Sequence, residues 1–73
     1  MNKLKFWRRE RGLSQIELST ASQVPRYVIQ LAENGLRRPS VRYEQSIAEV
    51  LGVSSENLFP TSEGENTPKE QES

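Results

Sequence analysis

The sequence predicts an all-α fold, a compact bundle of five short helices. Three observations carry this. Leu4, Trp7 and Arg8 fall at i, i+3, i+4 spacing, which is one face of a helix. Serines stand where helices would begin: Ser14 with Glu17 three residues later, Ser40, and Ser54 or Ser55. Glycines stand where helices would stop: Gly12, Gly35 directly after Asn34, and Gly52.

Taken in order, Asn2 can cap a first helix that runs to about Arg11, before Gly12. Ser14 and Glu17 form a capping box for a second helix from Gln15 to about Ala21, with Leu18 and Ala21 facing inward. Ser22-Gln23 is a short polar break. Pro25 suits the first turn of a third helix, where its missing N–H costs nothing. That helix starts at Pro25 or Arg26 and runs to about Glu33, with Val28, Ile29 and Ala32 inward. Ser40 caps a fourth helix from Val41 to Leu51, with Val41, Ile47, Ala48 and Leu51 inward. A short fifth helix holds Leu58 and Phe59 and ends before Pro60.

A chain of 73 residues makes one domain at most, and the folded part is expected over residues 1–60. Residues 61–73 contain no aliphatic or aromatic side chain, so they are expected to be a disordered acidic tail. The core is about a dozen residues, which rarely supplies more than about 3–5 kcal/mol. Trp7 is expected to be its largest contributor. With no cysteine and no histidine, disulfides and thiolate or imidazole metal sites are excluded. No segment approaches the roughly 20 apolar residues of a membrane span, and no apolar signal region follows Lys3 and Lys5. A cytoplasmic location is expected, with no membrane partner, no cofactor and no small-molecule ligand. No catalytic pair, phosphate loop or metal cluster suggests an enzyme.

The net charge of zero hides an asymmetry. Up to Arg42 there are nine Lys/Arg against Glu10, Glu17 and Glu33, a net of +6. Residues 43–60 carry −3, and residues 61–73, with four Glu against Lys69, carry another −3. The positive charge thus sits in the half of the chain that holds the second and third helices. Two short helices joined by a tight turn, the second opening on basic and polar residues, form a helix-turn-helix. Its geometry suits a DNA major groove.

Residues 4 to 59 resemble the phage-repressor and Cro type of helix-turn-helix domain, which is lambda-repressor-like in fold. The resemblance runs through Leu4, Trp7-Arg8, Gly12-Leu13-Ser14-Gln15, Leu18, Val24, Ile29, Glu33-Asn34-Gly35, Pro39-Ser40, Ile47-Ala48, Leu51-Gly52-Val53-Ser54 and Leu58-Phe59. It implies a compact five-helix bundle that binds double-stranded operator DNA, usually as a dimer. It implies that Gln15 contacts the DNA backbone, as a helix N-terminus and an amide both favour. It places base readers at Pro25, Arg26, Tyr27, Gln30 and Leu31. Arg26 can donate two hydrogen bonds to guanine, and Gln30 can pair with adenine. Tyr27 can meet a thymine methyl or a phosphate, and Leu31 offers apolar contact only.

Arg37, Arg38 and Arg42 follow the reading helix and suit phosphate contacts, which position without specifying. Arg8 and Glu33 fall on otherwise apolar faces, and the resemblance implies that they form a buried salt bridge. Four departures stand out. Gln23 occupies a turn position where Gly is usual and is expected at positive φ. Ser19 replaces an Ala, Pro25 replaces a capping Ser, and Glu44 replaces an apolar residue, thinning the core side of the fourth helix.

The function expected is that of a sequence-specific transcriptional regulator, a repressor acting by operator occlusion. The alternative is a protein-interaction module or an antitoxin of the same fold, with a partner protein as main ligand. A weak homodimer, assembled mainly on DNA, is expected through Val53, Ser55, Glu56 and Phe59, with intramolecular packing of Phe59 as the competing reading. The first helix begins so close to Met1 that no arm is expected to reach the minor groove. The tail is expected to be inert and solubilising, the alternative being that it competes with DNA for the basic surface.

Overall fold

Residues 2–60 are described by the computed structural model, and among them every helix is local in origin. The elements are α1 (Leu4–Glu10), α2 (Gln15–Ser22), α3 (Arg26–Glu33), α4 (Val41–Leu51) and α5 (Ser55–Leu58). No strand occurs among the described residues. The expectation for residues 61–73 lies outside them.

Three helices start on a serine whose hydroxyl accepts a backbone N–H that has no helical partner. Ser14 accepts from Glu17, Ser40 from Tyr43 and Ser54 from Asn57. At α2 the Glu17 carboxylate also accepts the Ser14 N–H at 2.8 Å, completing the capping box. Asn2 starts α1 differently. Its Oδ1 accepts the Leu4 N–H at 3.1 Å, while its amide donates to the Ala32 carbonyl in α3 at 2.6 Å. One side chain therefore both opens a helix and fastens it to another. Gly35 and Gly52 end α3 and α4 with φ of +71°, a conformation that a Cβ would strain.

The core consists of Leu4, Leu18, Val24, Ile29, Ala32, Ile47, Leu51, Leu58 and Phe59. α2 packs against α3 and α4, α5 against α4, and α1 against α3. The two ends of this unit are joined by backbone, since the Lys3 N–H donates to the Leu58 carbonyl at 2.9 Å. No helix among the described residues is long and apolar enough to cross a membrane.

Several inward assignments are corrected. Ala21 is exposed, and Ser22 takes the buried position one turn after Leu18. The Ser22 hydroxyl donates to the Leu18 carbonyl at 2.7 Å, so its burial leaves no polar group unpaired. Val41 is 69% exposed at the start of α4, whose buried face is Glu44, Ile47 and Leu51. Trp7 is half-buried at the rim of the core rather than at its centre. There it meets Phe6 edge-on and carries the Arg11 guanidinium 5.1 Å above its ring. Arg11 Nε donates to the Leu51 carbonyl at 2.7 Å, so this stack also caps the C-terminus of α4.

The turn between α2 and α3 holds the one non-glycine residue at positive φ among those described: Gln23, at +60°. A left-handed residue costs roughly 1–2 kcal/mol, and a glycine there loses about 0.5–1 kcal/mol of chain entropy instead. Gln23→Gly is therefore expected to raise stability by about 0.5–1 kcal/mol. Urea unfolding checks this, and a loss of stability would mean that the exposed Gln23 side chain does something other than tolerate the turn.

Candidate nucleic-acid interface

α2 and α3 are held at a fixed angle by both ends of α3. At the start, Pro25 occupies the N-cap position and brings no capping side chain. The turn is secured from α2 instead, where the Ser19 hydroxyl donates to the Val24 carbonyl at 2.6 Å. The Ser that departs from the usual Ala at position 19 thus supplies a bond across the turn. At the far end, Glu33 is the junction of three helices. Arg8 donates to its carboxylate from Nε at 2.5 Å and from a terminal nitrogen at 3.2 Å. Arg8 also donates to the Leu13 carbonyl at 2.8 Å, and Gln15 Nε2 donates to Glu33 Oε1 at 3.1 Å. The side chains of Arg8 and Glu33 are only 10% and 3% exposed, so the pair is buried and its hydrogen bonds replace lost hydration.

With Ile29 and Ala32 facing the core, α3 turns Arg26, Tyr27 and Gln30 outward. These three share one face at i, i+1, i+4 spacing. Pro25 and Leu31 are half-buried at its edges. Beyond Leu31 a cavity of about 260 Å³ opens between α3 and the following loop, walled by Tyr27, Val28, Pro39 and Tyr43. Gln15 lies at the start of α2, half-buried, with its amide turned toward Glu33. A phosphate contact from this side chain would use what that bond leaves over, the second amide hydrogen. Arg37 and Arg42 are exposed and form no ion pair among the described residues.

Arg38 is placed differently from the expectation. Its Nε donates to the Glu44 carboxylate, a terminal nitrogen donates to the Phe59 carbonyl at 3.1 Å, and its guanidinium lies 6.0 Å from the centre of the Phe59 ring. Arg38 thus bridges the loop to α4 and to the end of α5, with its side chain still partly exposed. Glu44 does not thin the core side of α4, because it is buried as the anion of this second pair. Sequence reasoning missed the pair. The signal was available: Glu44 stood on an apolar face with Arg38 six residues away, the same kind of sign that marked Arg8 and Glu33. Phe59 is 4% exposed and belongs to the core, so it offers nothing to a second subunit.

A turn-linked helix pair with a polar, cation-flanked outer face defines a helix-turn-helix domain. Residues 4–58 match the helix-turn-helix family, and the chain belongs to it, as a domain of the phage-repressor and Cro type. Among curated proteins it is similar to the uncharacterized HTH-type transcriptional regulator YqaF of Bacillus subtilis (strain 168). The two are 43% identical over 49 residues, 67% of this chain and 64% of that protein. The match therefore spans just under two thirds of the relative's length. Among solved structures it is similar to a chain of the SinR protein/SinI protein complex. The TM-score is 0.75 at 27% identity, over 88% of this chain and 64% of that one.

The two ion pairs differ in exposure, and this yields a ranking. Glu33→Ala leaves a buried Arg8 unpaired and is expected to cost about 3–5 kcal/mol. Glu44→Ala releases Arg38, whose side chain is 44% exposed and can reach water, so the loss should be about 1–2 kcal/mol. Urea unfolding of both variants measures the order. A larger loss at Glu44 would show that the loop, not the three-helix junction, limits stability.

Proposed function

We propose that this chain is a transcriptional regulator that binds duplex DNA through α3 and represses by occupying its operator. The observation that carries the reading is the outward row of Arg26, Tyr27 and Gln30, mounted on a helix pinned at both ends and flanked by the exposed cations Arg37 and Arg42. Arg26 and Gln30 present donors and acceptors for base edges, while Tyr27 and Leu31 offer apolar contact to thymine methyls. Arg37, Arg42 and the start of α2 at Gln15 meet phosphates on either side. The likeness to YqaF, described as a transcriptional regulator, supports the same reading. One short helix covers few base pairs, so two copies on a palindrome, with half-sites about one helical turn apart, supply the specificity. Of the residues first considered for dimer contact, Glu56 remains at the surface, and Val53 and Ser55 are half-buried. That area is small, which favours a weak homodimer assembled on DNA.

The second reading is a partner protein as main ligand. It draws support from the SinR protein/SinI protein complex, in which a similar chain was solved with another protein, and from the cavity beside Leu31, whose walls combine Tyr27, Val28, Pro39 and Tyr43 with Arg37, Arg38 and Ser40.

Salt dependence separates the two. Contact with roughly four to six phosphates gives log K against log salt a slope of about −4 to −5. A slope near zero, or no binding at low salt, removes the DNA reading in favour of the partner protein. Against a pool of selected sequences, Arg26→Ala should relax preference at one base position at a cost of about 1–3 kcal/mol there. Arg37→Ala should weaken all sequences alike. Sedimentation on a full palindrome is expected to show two chains per duplex, and a one-to-one complex would contradict the dimer.

A further inference from the structure

The described chain leaves the domain beside its own cationic loop. Phe59, the second-last described residue, is held by Arg38 at its carbonyl and at its ring. Arg38 is flanked in sequence by Arg37, and Arg42 follows in the first turn of α4. The next 13 residues carry four glutamates and one lysine. Covalent geometry keeps Glu63 within about 10 Å of Pro60, close to the Debye length of roughly 8 Å at physiological salt. Fully extended, 13 residues reach about 45 Å, more than the 34 Å long axis of the domain.

We propose that residues 61–73 dock through their glutamates on Arg37 of the loop after α3 and Arg42 at the start of α4, and compete there with DNA phosphate. The proposal rests on the DNA-binding reading above. Charge complementarity selects the occupant: a net −3 segment is tethered at a site of exposed cations, so its effective concentration there reaches the millimolar range. The competition falls unequally on the two kinds of DNA complex. Non-specific binding is almost wholly electrostatic, whereas an operator complex adds base contacts that the tail cannot mimic. The segment therefore suppresses non-specific association more than operator binding, which raises the ratio between them.

The test keeps the full chain and its length. Glu63→Gln, Glu65→Gln, Glu70→Gln and Glu72→Gln are combined in one variant, and binding to mixed-sequence duplex DNA is compared with the unaltered protein. At about 50 mM salt the variant should bind roughly threefold to tenfold more tightly, and at about 300 mM the gain should shrink below roughly twofold. Without DNA, neutralising the four glutamates should shift the NMR side-chain signals of Arg37 and Arg42. Equal affinities at low salt, a gain that does not shrink with salt, or unshifted arginine signals would overturn the proposal. If both proteins bind with the same steep salt slope, the tail proposal fails and the DNA reading stands. If neither binds at any salt, the DNA reading fails and the tail proposal goes with it.

Discussion

The Glu33 carboxylate is the constraint on which the rest of this domain depends. Its two oxygens accept three hydrogen bonds, from Arg8 on α1 and from Gln15 on α2, while the residue itself closes α3. Apolar contacts alone do not fix how far one helix rotates about its axis against another. Charge-assisted bonds with a direction do, because a rotation of α3 would break them inside a region that offers no water in exchange. The orientation of the outward face follows from this junction. So does the position of Gln15, whose amide is held by the same carboxylate.

The Arg38–Glu44 pair plays a complementary part at the other side of α3. It ties the loop after α3 to α4 and, through the Phe59 carbonyl, to the end of α5. Together with the Ser19 bond to Val24, this leaves α3 bounded by fixed backbone before and after it. On the proposed DNA-binding role, a surface that has to match the spacing of a duplex gains from such anchoring, because less conformational freedom remains to be lost on binding.

Much of the fold was legible because it is encoded locally. Caps at Ser14, Ser40 and Ser54, and stops at Gly35 and Gly52, depend on neighbours within a few residues, and the helix bounds followed from them. Gln23 was readable for the same reason, since a turn position demands its own backbone angle. Ala21, Ser22 and Val41 were misread because they lie at helix ends, where tertiary contacts rather than periodicity decide which residue turns inward. The pairing of Arg38 was not legible, because its long side chain can point either to solvent or inward, and only the buried Glu44 shows which partner it takes. The base readers proposed on α3 came from resemblance rather than from periodicity. The chain shows which face of α3 is polar, but only a family pattern says what that face meets.

The bond between the Lys3 N–H and the Leu58 carbonyl joins residues 55 apart, almost the full described length. During synthesis, a nascent chain that ends before Leu58 has no acceptor for that N–H and lacks Leu58 and Phe59 from the core. No N-terminal fragment can therefore be a smaller version of the native domain. Closure is a nonlocal contact in an otherwise locally encoded helical chain, and the loop entropy it costs has to be offset by the packing of the helices between its two ends.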